Sequence, residues 1–343
     1  MNQIFPHHLI QRHLHSQGIG CSFFTISMTL PSSKQTWAHS IVSKDLLERT
    51  LEDSNITAIE TDILLGYDTT TTLEEATTKE LGHKIPIMAH PPDTESDLSV
   101  GTFLERIRTT QHHIKLDFKQ QVVVPPTLEL LQTMLRQDAN NCHPRTFFFN
   151  ADILPGPGME DPTVPAKPFL ETTTAFKTLP GTTIALSLGW KVDVCSPHGY
   201  THVHMAQMNE VLRDHVINFE KIPIVLAVNA RLLAKSPPEP FLNFLLATRQ
   251  LRQLLIWTGA GEPPIGLYTL HKLERMFAEV SDQVGYDVQT TTNTMEATIY
   301  DTAMWFLGWK NIVVRKIWKL STTIAELCFA TRNAATERRA KVE

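Results

Sequence analysis

The chain has 343 residues, 42% hydrophobic and 20% charged, which suffices for one large core and argues against a second full domain. Its 31 basic and 36 acidic residues leave a formal charge of −5 and a pI near 6.3, and the central region holds no arginine-rich or aromatic-interleaved basic stripe. Nucleic acid is thereby excluded as an expected partner, and four scattered cysteines, Cys21, Cys142, Cys195 and Cys328, lack the spacing of a disulfide framework or a zinc site.

Taken in chain order, residues 1–34 read as a poorly ordered N-terminal extension. It carries four histidines but no basic segment followed by a long apolar one, so no ordinary signal peptide is expected. No stretch of the chain reaches the roughly 18 to 20 apolar residues that span a bilayer. Over 35–289, β-branched apolar runs alternate with helical patterns. Strands are predicted over 35–39, 57–64, 85–89, 113–118, 146–150, 183–188, 222–228 and 253–257. Helices are predicted between them over 44–52, 101–109, 127–136, 167–176, 203–215 and 239–249, with 267–280 after the last strand. A threonine-rich helix over 73–81 is the weakest of the crossovers. Strand and helix alternating in this way define an α/β fold, the (β/α)8 TIM barrel. The tail 290–343 mixes aromatic residues with cations, a pattern that suits either an interfacial helix in peripheral membrane contact or packing against the outside of the barrel.

Barrel enzymes keep their functional groups where the strands end. Side chains two apart on a strand share a face, so Glu60 and Asp62 point together, as do Lys115, Asp117 and Lys119. Three carboxylates in one barrel mouth repel one another and resist desolvation, so Glu60, Asp62 and Asp117 invite one divalent cation. Oxygen ligands of this kind suit Mg2+ or Ca2+. The remaining strand ends bring His39, His90, Asn150 with Asp152, Trp190, Asn229 with Arg231, and Trp257 to the same rim, while strand interiors stay aliphatic.

Several of these segments, including 37–40, 59–62, 87–92, 114–119, 150–157, 186–190 and 256–259, resemble the menorin family from about residue 37 to about 288. The run Asn150-Ala151-Asp152-Ile153-Leu154-Pro155-Gly156-Pro157 is the most specific of them. More distantly the pattern is similar to glycerophosphodiester phosphodiesterases and sphingomyelinase-D-like phospholipases, which share a phospholipase-C-like barrel. That resemblance implies a Mg2+ or Ca2+ phosphodiester site in which Glu60, Asp62 and Asp117 hold the metal and His39, His90 and Lys119 are catalytic. Trp257 matches the late tryptophan of those families. The sequence also departs from them, because Ser40 and Ile41 follow His39 where glycerophosphodiesterases have Arg-Gly.

Two readings of function follow. In the first, a divalent-metal-dependent phosphodiesterase or phospholipase-like hydrolase cleaves a small-molecule or lipid phosphodiester. His39 and His90 would then form an acid/base pair, and Asn150, Asp152, Trp190, Arg231 and Trp257 would contact substrate. In the second, a catalytically inactive barrel serves as a binding or adhesion protein with a protein partner at a cell surface. Structural roles stand beside several assignments: a Lys119–Asp117 salt bridge, tryptophans that plug the rim, an Arg231 at the surface or behind the site. A glycosidase fits less well, since Glu60 and Asp62 neighbour each other on one strand. The family resemblance points to the extracellular space, and the lack of a recognisable export signal leaves the cytoplasm as the alternative.

Overall fold

The computed structural model describes residues 35–70, 83–137, 144–178, 181–216, 221–248, 251–259 and 262–291. The predicted helix over 73–81, the N-terminal extension and nearly all of the C-terminal tail lie outside the described residues.

Eight parallel strands form the frame: β1 (Trp37–Ala38), β2 (Ala58–Asp68), β5 (His113–Phe118), β6 (Arg145–Pro155), β7 (Thr182–Lys191), β8 (Ile224–Asn229), β9 (Arg252–Trp257) and β11 (Val284–Asp287). They pair in that order, so the sheet is a TIM-like barrel, with β1 and β11 standing at the two ends of the hydrogen-bonded path. Among the described residues, four short strands lie off this frame. β3 (Ile85–Met88) and β4 (Glu95–Ser96) both pair with the far end of β2, and β10 (Ile265–Gly266) pairs with β12 (Thr290–Thr291).

Among the described residues, the outer layer consists of α1 (Lys44–Glu52), α2 (Val100–Ile107), α3 (Val124–Gln137), α4 (Ala166–Thr174), α5 (His202–His215), α6 (Ala230–Leu233), α7 (Glu239–Ala247) and α8 (Leu267–Met276). Their starts follow local chemistry. Ser43, Ser99 and Thr201 each accept a hydrogen bond from the backbone of the first helical turn, and the Asn229 side chain does the same for α6. Among the described residues no helix is long and apolar enough to cross a membrane.

The third predicted strand is a correction. Ile85–Met88 runs antiparallel to β2, with Ile63 opposite Met88, and is not a stave of the barrel. The eighth stave is Val284–Asp287, parallel to β9, in a stretch predicted to lie beyond the last strand.

Strand alternation sorts the side chains into two layers. Ile59, Ile63, Leu116, Phe118, Phe147, Phe149, Leu188, Leu226 and Ile256 point outward and join Leu47, Phe103, Leu131, Phe169, Met208 and Phe241 of the helices in the main core. The inward set is much smaller. Phe148, Ala185, Val225 and Leu255, with Trp37 packed against them, fill the barrel interior, and the inward positions nearer the strand ends are polar.

Candidate metal centre

The register of β2, β5 and β6 creates the centre. Glu60 sits opposite Lys115, and Asp62 opposite Asp117, which in turn faces Asn150 across the next pairing. All are inward positions, so the carboxylates of Glu60, Asp62 and Asp117 converge, with ligand atoms all within 4.8 Å of one another. Lys119 spans two of them: its Nζ lies 2.8 Å from Asp62 Oδ1 and 2.6 Å from Asp117 Oδ2. The other Asp62 oxygen, Oδ2, is buried and makes no hydrogen bond. An unsatisfied buried carboxylate oxygen is costly, and a cation held by the triad would satisfy it.

Glu60 is held from its other side. His39 Nδ1 is 3.6 Å from Glu60 Oε2, and the same oxygen accepts the Ser40 backbone N–H at 2.9 Å. Ser40 adopts a φ of 51°, in the left-handed region that a serine seldom enters. The bend turns the backbone at the end of β1 towards the carboxylate, a local strain of the kind that gathers at functional sites.

The second ring nitrogen of His39 reaches Asp287 at the end of β11, with Nε2 to Oδ1 at 2.8 Å. Burial disfavours the charged imidazole, yet the carboxylates of Asp287 and Glu60 outweigh it and raise its pKa to about 9. Glu60 moves in the opposite sense. Burial opposes its ionisation, but His39, Lys115 and the Ser40 N–H together lower it to about 2.

Asp62 and Asp152 behave differently. Burial first, then repulsion from Glu60 and Asp117, raises Asp62 to about 6 against the pull of Lys119. Burial and Asp117 likewise raise Asp152 to about 6, despite Lys119, Lys115 and Lys191. Gly189 makes room for Asp152, because a Cβ there would stand 2.5 Å from its Oδ1. Lys119 stays protonated: burial disfavours its charge, but Asp117 and Asp62 overcome that and hold its pKa above the usual lysine value.

The other expected site residues divide. Asn150 belongs to the inward set and accepts a hydrogen bond of 2.6 Å from Ser187 Oγ. Trp257 is half-buried at an inward position, in register with both Asn229 and Asp287. His90 follows β3, is exposed, and has Nδ1 2.7 Å from the Pro91 carbonyl. It reaches the barrel by an antiparallel route, in which its neighbour Ala89 donates its N–H to the Asp62 carbonyl at 3.0 Å.

Two residues stand apart from this group. Trp190 is 1% exposed and packs on Tyr200 and Phe241 in the helix layer. Arg231 is 4% exposed and donates to the carbonyls of Pro263 and Pro264, with Glu262 beside it. Its guanidinium thus braces the loop after β9 from within. Glu262, unflagged by any sequence motif, accepts from Asn229 Nδ2 at 2.9 and 3.1 Å and from the Gly259 N–H at 2.9 Å. Asp287 is equally unflagged, since it ends a four-residue strand containing a glycine. No motif surrounds it, and only the barrel's closure brings it to His39.

These features define a class: a TIM-like α/β barrel whose C-terminal strand ends carry a buried acidic cluster able to hold a metal ion. Similarity to known proteins narrows the class to a family. The Menorin N-terminal domain profile matches residues 32–293, and the chain is 32% identical over 229 residues to human Protein FAM151B, covering 66% of this chain and 73% of that protein. The chain belongs to the menorin family.

Proposed function

We propose that the barrel rim is a divalent-metal-dependent phosphodiesterase or phospholipase-like site. The observation that carries this reading is charge. Five carboxylates, Glu60, Asp62, Asp117, Asp152 and Asp287, gather around three cations, His39, Lys115 and Lys119. Two negative charges are left over, and the rim stays acidic even when the half-buried Lys191 at its edge is counted. One dication on Glu60, Asp62 and Asp117 would bring the cluster near neutrality, and the oxygen-only donor set suits Mg2+ or Ca2+.

Bound there, such an ion supplies Lewis-acid stabilisation of charge on a phosphoryl oxygen. The chain's own residues do the rest. Lys119 keeps Asp62 and Asp117 together and offers an ammonium to a nonbridging oxygen. His39, protonated between two carboxylates, would give a proton to a leaving oxygen from Nδ1, whose 3.6 Å approach to Glu60 is looser than the 2.8 Å contact of Nε2 with Asp287, which leaves the exposed His90 as the candidate base. Asn150 and Asp152 line the inner wall where ligand hydroxyls would bind, with Trp257 further round the barrel on β9.

Turnover of bis-para-nitrophenyl phosphate and of a lysophospholipid, with and without Mg2+, tests this reading. Mg2+-dependent release that falls at least about a hundredfold in His39→Ala is expected, within the usual range of general acid/base contributions. Activity indifferent to both changes would reject it. The engagement of both His39 ring nitrogens by Glu60 and Asp287 also favours a second reading, a barrel that binds without cleaving. That reading predicts no turnover and retained binding of a cell-surface protein partner in Glu60→Gln and His90→Ala.

A further inference from the structure

Lys115 has no part in the triad, yet its placement is unusual. It is only 8% exposed and occupies an inward position of β5, two residues before Asp117 and directly opposite Glu60. Among the described residues its ammonium makes no hydrogen bond and no ion pair within 4.0 Å, unlike Lys119 on the same face. Its charge acts on Glu60 and Asp152 without contacting either. Its Nζ is not sealed off, however, and keeps some contact with solvent, so the ammonium is open to the space it faces. Phe148, its neighbour on β6, belongs to the apolar filling of the barrel and supplies no acceptor. The alternation that turns Lys115 inward makes its small remaining exposure a matter of the lumen, the same space that the triad and Asp152 border.

We propose that Lys115 is a ligand-contacting residue, a second hydrogen-bond donor in the lumen whose ammonium donates to a nonbridging oxygen of a phosphoryl group shared with Lys119 and the metal triad. This deepens the phosphodiester reading above and rests on it. The acceptors missing in the free protein would then be those of the ligand, replacing the water that reaches Nζ. A lysine present only to neutralise Glu60 would be expected to sit in contact with it, as Lys119 does with Asp62 and Asp117.

The test uses inorganic phosphate as the probe, titrated calorimetrically into the full chain with Mg2+ present, and Tb3+ luminescence as an independent report on the triad. Lys115→Met, close in length and uncharged, should lose at least about tenfold in phosphate affinity, as expected when one charge-assisted hydrogen bond is removed. It should also bind Tb3+ at least as well as the wild type, since the triad is intact and one neighbouring positive charge is gone. Lys115→Gln repeats the measurement should the methionine variant fail to fold. Phosphate affinity unchanged in a folded variant overturns the proposal while leaving the phosphodiester reading in place. A parallel loss of Tb3+ binding also overturns it, since Lys115 would then act through the triad. Wild-type protein that binds Tb3+ but no phosphate overturns the phosphodiester reading itself, and this proposal with it.

Discussion

His39 and Asp62 titrate in opposite senses because each meets a different imbalance of charge. His39 gains two carboxylates on folding, so its stabilising contribution is complete below about pH 6.5 and is lost as pH rises through about 9. Asp62 gains more repulsion than attraction. With its folded pKa raised from 3.8 to about 6, the folded state binds a proton more readily than the unfolded one, so its ionisation destabilises the fold as pH rises between those values. Two outcomes are expected in thermal melts. The wild type should lose stability relative to His39→Gln between about pH 6.5 and 9, and Asp62→Asn should remove a loss of stability between pH 3.8 and about 6; coincident profiles would show that these charges are compensated otherwise. At this scale much of the site was legible in the sequence. The acids, lysines and histidines stood in strand-end positions whose parity could be counted, which placed Glu60, Asp62, Asp117 and Lys119 together. Asp287 was not legible, because its role depends on which strand completes the circle, whereas parity sets Trp190 on the face of Leu186 and Leu188, and an Arg231 behind the site was one of the alternatives.

Strand direction is the feature of the elements that side chains alone do not record. Ile85-Pro86-Ile87-Met88 is an apolar run that would suit a buried parallel stave, and it pairs antiparallel with β2 instead. β2 explains why, since it extends well beyond both β1 and β5, and β3 and β4 cover the edges this leaves between Ile63 and Asp68. Gly66 lets them approach. A Cβ at that position would overlap both Ile87 Cδ1 and the Thr94 carbonyl oxygen, and backbone cannot yield as a flexible side chain can. Gly66→Ala should therefore cost about 1–3 kcal/mol, the range for overpacking a tight contact. Amide exchange at Met88 and Ala89 should quicken before exchange in β5 or β6 does. Uniform acceleration across the sheet would mean that β3 and β4 are integral to the barrel and not a flap laid on it. β11 is hidden from the sequence for a related reason. Val284-Gly285-Tyr286-Asp287 is too short for alternation to register, and its pairing with β9 is what defines it.

For the whole molecule, the acidic rim links ligand binding to stability. A cation that binds only the folded state adds about 2.7 kcal/mol at a hundredfold excess over its Kd, or a rise in Tm of roughly 5 °C at about 2 °C per kcal/mol. Mg2+ or Ca2+ should produce such a rise in the wild type. Asp62→Asn should melt higher than the wild type without added metal, because repulsion within the triad is relieved, and should show little further rise with it. Equal shifts in both proteins would place the cation elsewhere. The barrel as a whole was the most legible level, since all its staves but β11, and the helices α1 to α5, α7 and α8, announce themselves through repeating apolar periods that any compact α/β chain must bury.

The meeting of His39 with Asp287 also sets an order of events in biosynthesis. Glu60, Asp62, Asp117 and Lys119 all leave the ribosome within the first third or so of the chain, whereas the aspartate that secures the first strand's histidine emerges some 170 residues after Lys119. A nascent barrel therefore carries its acidic triad, with Glu60 lacking a pinned imidazole, while those intervening residues are made. Its chemistry can be completed only when the last stave arrives beside the first.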